Sequence, residues 1–151
     1  MISDDGLGMD LASGIAAFEG KEFKRALQLL SPLAELGYSD AQFRVAVMYQ
    51  NGLGMVINTK SAWHWMSCAA TQGHSLAQHG LGFMYAFGEC VQFDRDQAVH
   101  WLELAAAQEM TGSMAALAQL YHEGRGAEPD LIKARYWYQR AGFDLAELGL
   151  A

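Results

Sequence analysis

The sequence predicts an all-α fold, a solenoid of stacked two-helix repeats, each 36 residues long. The first observation is a fixed period, because units that begin at Ala41, Ala77 and Ser113 align without a gap. The second is that four residue types recur at fixed places in all three units: Tyr49, Tyr85 and Tyr121; Gly52, Gly88 and Gly124; Ala62, Ala98 and Ala134; Trp65, Trp101 and Trp137. One such unit cannot bury its apolar face alone, so the period indicates a stacked array.

The whole chain, residues 1–151, is predicted to be a single repeat domain. A degenerate copy precedes the three full units, since Ala26 and Leu33 lie one period before Ala62 and Ala69. Atypical terminal copies are typical of solenoids, whose ends need caps. The predicted segments are a degenerate repeat or cap at 10–40, repeats at 41–76, 77–112 and 113–148, and a short C-terminal cap at 145–151.

Each repeat is predicted to contain two helices joined by a tight loop. Apolar residues recur at three- and four-residue spacing on both sides of the loop, which is the signal of amphipathic helices. Pairs of glycines in the loop permit positive φ, with Cys90 in place of the second glycine of the middle repeat. Asn58, Asp94 and Asp130 occupy equivalent places before the second helix, where a short side-chain oxygen can cap its first turn.

The recurring aromatic residues are interpreted as structural. Residues that return in every copy usually pack between layers, and a buried tryptophan removes about 150–250 Å² from water. We therefore expect Trp65, Trp101 and Trp137 to fill the core, with the three recurring tyrosines packed beside them.

Composition limits the classes of partner. The chain is 52% hydrophobic and 18% charged, as a globular domain is, and its net charge is −7. A phosphate-binding surface needs clustered Lys and Arg, so no nucleic-acid partner is predicted. The longest apolar runs are too short for membrane insertion. The acidic start lacks a signal peptide, which predicts a cytoplasmic location, or a periplasmic one if a leader has been removed.

No catalytic, cofactor or metal site is predicted. His64 and His100 share a repeat position, but no third ligand recurs with them, so we interpret them as solvent-edge histidines. Cys68 and Cys90 are too few for a disulfide framework or a zinc site. The glycine pairs lack the lysine and the preceding strand of a phosphate-binding loop. The sequence therefore does not predict an enzyme.

The recurring residues resemble the Sel1-like repeat (SLR) family, a relative of the tetratricopeptide repeats. Its pattern joins a first-helix A-x₃-L-G-x₂-Y to a loop G-x-G and a second-helix A-x₂-W-x₃-A-A. The middle repeat meets it through Ala77, Leu81, Gly82, Tyr85, Gly88, Asp94, Ala98, Trp101, Ala105 and Ala106. Three copies in register cover residues 41–142, with a weaker extension to about residue 10. Cys90 and Glu109 depart from the pattern by replacing glycines.

The resemblance implies a right-handed α-solenoid (an α/α superhelix) that binds other proteins. The expected function is a non-catalytic protein–protein interaction module: an adaptor, a scaffold, or an inhibitory or immunity-type binder. The alternative is a small hydrolase or ligand-binding protein with an unrecognised site. If the final segment leaves the last helix uncovered, an end-to-end homodimer is also expected, since exposed apolar faces associate.

Tetratricopeptide geometry places the first helix of each repeat on the concave face, so the partner is expected there. Phe83 and Phe87 are not repeated, which suggests binding rather than packing, and they lie four residues apart on one helix face. The alternative is that both rings fill a narrow superhelix interior, because aromatic stripes on helices are often core. The predicted partner-binding residues are Phe43, Val47, Gln50, Asn51, His79, Phe83, Phe87, Gln119, His122 and Glu123.

Overall fold

The computed structural model describes residues 4–151, and this part of the chain is all-helical. It contains eight helices and no strand: α1 Asp4–Glu19, α2 Phe23–Glu35, α3 Ser39–Asn51, α4 Thr59–Thr71, α5 Ser75–Phe87, α6 Arg95–Ala107, α7 Thr111–Glu123 and α8 Leu131–Arg140. The predicted fold class is confirmed. The first helices of the three full repeats are α3, α5 and α7, and the second helices are α4, α6 and α8. Among residues 4–151, none of the helices has both the length and the apolar composition needed to cross a bilayer.

The chain divides into two compact units, one up to Ala77 and one from Gln78, and helix α5 begins in the first unit and ends in the second. In the first unit, α1 packs on α2, α2 on α3, and α3 on α4. Its core includes Leu30, Leu33, Val45 and Met48. In the second unit, α6 packs on α7 and α7 on α8, around a core that includes Leu102, Met114 and Leu117.

The predicted N-caps of the second helices are confirmed. The side-chain oxygen of Asn58 accepts from the backbone N–H of Ser61 at 3.0 Å, and Asp94 and Asp130 do the same for the residue three positions later. The backbone N–H of each cap residue also donates to the carbonyl of the recurring tyrosine, at 2.9–3.0 Å: Asn58 to Tyr49, Asp94 to Tyr85 and Asp130 to Tyr121. One capping residue thus begins the second helix and ties it to the end of the first.

The loops between paired helices use left-handed backbone, as the glycine pairs predict. Gly52 and Gly124 end their first helices with φ of 67° and 65°. Cys90, which replaces the second loop glycine of the middle repeat, keeps the left-handed conformation with φ of 66°. A side chain in this conformation crowds the following carbonyl, so the departure from the family pattern leaves the backbone unchanged and strained.

We expect Cys90→Gly to raise the free energy of unfolding by about 0.5–1 kcal/mol, the relief of left-handed strain less the extra entropy of an unfolded glycine. Urea denaturation measures this change. Gln92→Gly is the matched control, because Gln92 lies in the same loop without positive φ. A Cys90→Gly variant no more stable than the wild type would contradict the strain interpretation.

The expectation that the tryptophans are the main core residues needs correction. Trp65, Trp101 and Trp137 are only partly buried, and Trp65 and Trp137 pack against the edges of their units' cores. The buried side chains are those of the next residue along α4 and α6, Met66 at 2% and Leu102 at 0% exposed. Helical geometry explains the difference, because adjacent residues point about 100° apart and only one can face the helix interface directly. Tyr121 is buried, whereas Tyr49 and Tyr85 are partly buried.

Repeated glutamines form a polar contact that the sequence analysis missed. The side-chain amide of Gln72 donates to Oε1 of buried Gln42 at 2.8 Å, and Gln108 donates to buried Gln78 at the same distance. Gln42 in turn donates to the carbonyl of Ala34. These bonds satisfy polar groups that would otherwise be costly to bury. The sequence could have indicated this contact, because both glutamines recur after 36 residues.

The last nine residues, 143–151, fold back against α8. Backbone hydrogen bonds from Leu148 to Asp144 and from Leu150 to Leu145 form a short turn. Leu150 is only 8% exposed, and its carbonyl accepts from Nε of Arg135 at 2.8 Å. This segment therefore covers part of the last helix, and the end-to-end homodimer stays a prediction.

Candidate functional site

Helix α5 carries a row of three aromatic rings on one face. His79, Phe83 and Phe87 are spaced by four residues, and their ring centroids lie 4.6 and 5.1 Å apart. The row runs from the interior to the surface, since His79 and Phe83 are partly buried while Phe87 is 51% exposed. Phe83 packs against the core of the second unit. The interpretation of Phe83 as a binding residue free of packing is therefore corrected in favour of the packing alternative, and Phe87 is the most exposed ring of the row.

His79 anchors the inner end of this row to α7. Its Nδ1 and the hydroxyl of Ser113 are hydrogen-bonded at 2.6 Å, and Ser113 has no solvent exposure. Burial disfavours the imidazolium and lowers the pKa of His79 below its usual value. This contact makes His79 a structural link between two first helices.

The lowered pKa predicts that acid weakens the fold through His79. An unfolded histidine takes up a proton below about pH 6.5, whereas folded His79 does so only at lower pH. The contribution of neutral His79 to stability is therefore fully present above about pH 6.5, the pKa of the unfolded histidine. The free energy of unfolding should fall as the pH drops below this value toward the lower pKa of folded His79. Urea denaturation at pH 7.5 and 5.5 should show a smaller acid loss in His79→Gln than in the wild type. Equal losses would contradict the prediction.

Phe87 lies at the edge of a shallow depression between α5 and α7, which we call the α5–α7 depression. Its lining residues are Ala86, Phe87, Ala116, Gln119, Leu120, Glu123 and Arg125. The alanines and Leu120 provide an apolar floor, and the amide of Gln119 donates to Oε1 of Glu123 at 2.8 Å on the rim. Three predicted binding residues, Phe87, Gln119 and Glu123, therefore meet at one place.

The remaining predicted residue of the second unit lies elsewhere on α7. Nδ1 of His122 is 3.2 Å from the hydroxyl of Tyr138, and the two rings meet edge to face. His122 is thus directed toward α8 and does not line the depression. Burial, with a further contribution from Glu123, raises the pKa of Tyr138, so this phenol stays protonated at neutral pH.

The predicted residues of the first unit are dispersed along α3. Phe43 stacks on the ring of His74 with centroids 5.0 Å apart, and His74 is held by Asp40 at 2.9 Å. The side-chain amide of Asn51 donates to the carbonyl of Val47 at 2.9 Å. Val47 and Gln50 are partly buried. The stacking contact holds Phe43 against His74, the residue before α5, so Phe43 has a structural role beside any role in binding.

Arg125 is a functional candidate that the sequence analysis missed. It lies between the two loop glycines of the third repeat, lines the α5–α7 depression, and places its guanidinium 4.5 Å from the ring centre of Phe93. The sequence does indicate that this loop position varies between repeats, because the residues equivalent to Arg125 are Leu53 and Glu89. Arg125 and Glu123 give the rim of the depression one charge of each sign.

This arrangement offers a shallow apolar contact surface with hydrogen-bonding groups around it. The floor is apolar, Phe87 offers a ring edge, and Gln119, Glu123 and Arg125 supply donors and acceptors around it. Nothing in the depression pairs a nucleophile with a base. Within residues 4–151, no cluster of three or more His, Cys, Asp or Glu side chains could hold a metal ion.

The family model of the Sel1 repeat matches three consecutive segments, residues 39–74, 75–110 and 111–142. Each segment contains one first helix and the second helix that follows it. The chain belongs to the Sel1 repeat family. Proteins of this family are generally non-enzymatic modules for protein interaction.

Two solved structures of Sel1 repeat proteins resemble the chain over most of its length. A Sel1 repeat protein from Oxalobacter formigenes is 30% identical, with a TM-score of 0.79 over 87% of this chain and 53% of that one. The protective antigen c5321 of uropathogenic Escherichia coli strains, which displays an SLR fold, is 33% identical, with a TM-score of 0.82 over 95% of this chain and 31% of that one. The chain therefore spans about half or less of their lengths. No curated protein matches it in sequence.

Proposed function

We propose that this Sel1 repeat protein is a non-catalytic adaptor, scaffold or inhibitory module that holds a protein or peptide on the first helices of its repeats. The observation that carries the proposal is the α5–α7 depression, where an exposed phenylalanine, an apolar floor and a polar rim converge. Grooves of this composition accept an apolar side chain from an extended segment or a helix.

The positions that line the depression support this role because they vary between copies. Phe87 corresponds to Asn51 and Glu123 in the other full repeats, and Gln119 corresponds to Phe83 and Val47. Repeat packing does not require a given residue at a position that differs in each copy. Phe87 is also exposed, unlike Phe83, so an external contact explains this ring better than packing does.

Nothing among residues 4–151 favours the alternative of a small hydrolase. His79 and Ser113 form a close histidine–serine pair, but this serine is fully buried, so that hydroxyl cannot reach a substrate. His64 lies 3.8 Å from the sulfur of Cys68, but burial and Glu35 raise the pKa of this thiol, which is the opposite of what an activated nucleophile needs.

Affinity capture from the native organism with quantitative mass spectrometry tests the proposal. Phe87→Ser should lose a protein that the wild type retains, because its ring is removed from the depression. Val56→Ser is the matched control, since Val56 is an apolar loop residue, 87% exposed, in the first unit. Thermal unfolding of both variants should stay close to that of the wild type. If Phe87→Ser retains every protein that the wild type and Val56→Ser retain, the depression is not the binding site.

A further inference from the structure

At two outward positions of the second helix, only the third repeat has apolar side chains. Ile132 is 78% exposed and Tyr136 is 51% exposed. The equivalent residues of the other two second helices are also exposed but polar or charged: Lys60 and His64 in α4, Asp96 and His100 in α6. Packing within a repeat therefore does not require apolar side chains here. The change to isoleucine and tyrosine in one copy points to a contact outside the chain.

The folded segment 143–151 extends this apolar surface. The ring of Phe143 meets the ring of Tyr138 in α8 edge to face, with centroids 5.6 Å apart. The carbonyl of Leu150 accepts a hydrogen bond from Arg135. Phe143 and Leu148 remain exposed beside the helix. Helix and segment thus form one continuous surface, which we call the α8 surface.

The α8 surface separates charges by sign. Helix α8 contains Lys133, Arg135 and Arg140 and no acidic residue, whereas segment 143–151 contains Asp144 and Glu147 and no basic residue. The contacts of Lys133 and Arg140 lie at the surface, where Arg140 also donates to the hydroxyl of Tyr136 at 3.3 Å. Arg140 is 3.5 Å from exposed Glu109, and the ammonium of Lys133 lies over the ring of Tyr121 at 5.2 Å. The exposed ion pair of Arg140 and Glu109 contributes little to stability.

We propose that the α8 surface is a two-fold interface between two copies of this chain. In an isologous contact, residue i of one protomer meets residue j of its partner, and the reverse contact is made at the same time. The basic helix of each protomer then faces the acidic segment of the other, so opposite charges pair twice. Ile132 and Tyr136 lie between these charges and are covered on association. This dimer does not depend on the α5–α7 depression.

Sedimentation equilibrium of the full chain over a range of concentrations tests the interface. The wild type should dimerise, and the double variant Ile132→Ser with Tyr136→Ser should raise the dissociation constant about 100-fold, since two large apolar side chains leave the interface. Val56→Ser, which removes an equally exposed apolar side chain elsewhere, should dimerise as the wild type does. A wild type that stays monomeric up to its solubility limit would overturn the proposal, as would an unchanged dissociation constant in the double variant.

Charge reversal gives a sharper test of the two-fold arrangement. Lys133→Glu and Glu147→Lys each place like charges across the interface, so each variant alone should dimerise at least about tenfold more weakly. An equimolar mixture of the two should recover wild-type affinity, because both contacts in the mixed dimer then join opposite charges. A mixture as weak as its components would overturn the arrangement. Partner capture should be unaffected in these variants, so this test and that of the depression fail separately.

Discussion

Replacing Leu102 with alanine is expected to lower the free energy of unfolding by about 3 kcal/mol, within the usual range for a buried leucine. Leu102 has no solvent exposure and lies in the core of the second unit with Met114 and Leu117. The lost methyl groups leave a cavity that the surrounding helices fill only in part. Urea denaturation gives the value directly. A loss below about 1 kcal/mol, the scale of surface substitutions, would mean that this helix face is not buried.

Gly82 provides a test of the same contact from the opposite helix. A Cβ at Gly82 would lie 2.6 Å from Cγ and 3.2 Å from the backbone nitrogen of Leu102, so Gly82→Ala should destabilise the wild type despite alanine's higher helix propensity. In the Leu102→Ala background the side-chain clash is absent and only the 3.2 Å approach to the backbone nitrogen remains, so with a small shift there the same substitution should stabilise by up to about 1 kcal/mol. The change of sign is the expected result. Equal effects in both backgrounds would contradict the contact.

The second large effect is expected at the loop glycine of the third repeat. Gly124→Ala should cost about 3 kcal/mol, because the residue has φ of 65° and its Cβ would lie 2.6 Å from the backbone nitrogen of Pro129. Gly88 is the matched control, with φ of 66° and its nearest neighbour at 3.5 Å, in ordinary contact. Gly88→Ala should therefore cost only the left-handed strain, about 1 kcal/mol.

The difference between these two alanine variants measures the clash separately from the backbone strain. Urea denaturation of both proteins should place Gly124→Ala well below Gly88→Ala in stability. Equal losses would show that the chain around Pro129 shifts to accommodate the methyl group, and that only the backbone conformation constrains these glycines.

The helices and their ends could be predicted because the determinants are local and repeated. Asn58, Asp94 and Asp130 lie at equivalent places, and each caps its helix as a short oxygen-bearing side chain should. The core was predicted less well. Recurrence identified Trp101 as part of the packed layer, but it does not say whether this residue or its neighbour Leu102 faces the neighbouring helix.

The candidate site could be predicted only in part, for a different reason. Phe87, Gln119 and Glu123 were expected to bind together, and the structure places them around one depression. Phe83 and His122 contact other residues of their own unit, and Arg125 enters the depression from a loop. Variation between copies identifies positions free to change, whereas side-chain direction depends on contacts that the period does not encode. The cytoplasmic location stays a prediction from the sequence.

The most direct measurement of the central claim, that a partner is held at the α5–α7 depression, is site-specific photo-crosslinking in the native organism. A benzoyl-phenylalanine incorporated at Phe87 should crosslink the same protein that affinity capture retains. The same probe at Val56, an exposed position in the first unit, should not crosslink it. Crosslinking of that protein from position 56 and not from position 87 would contradict the account.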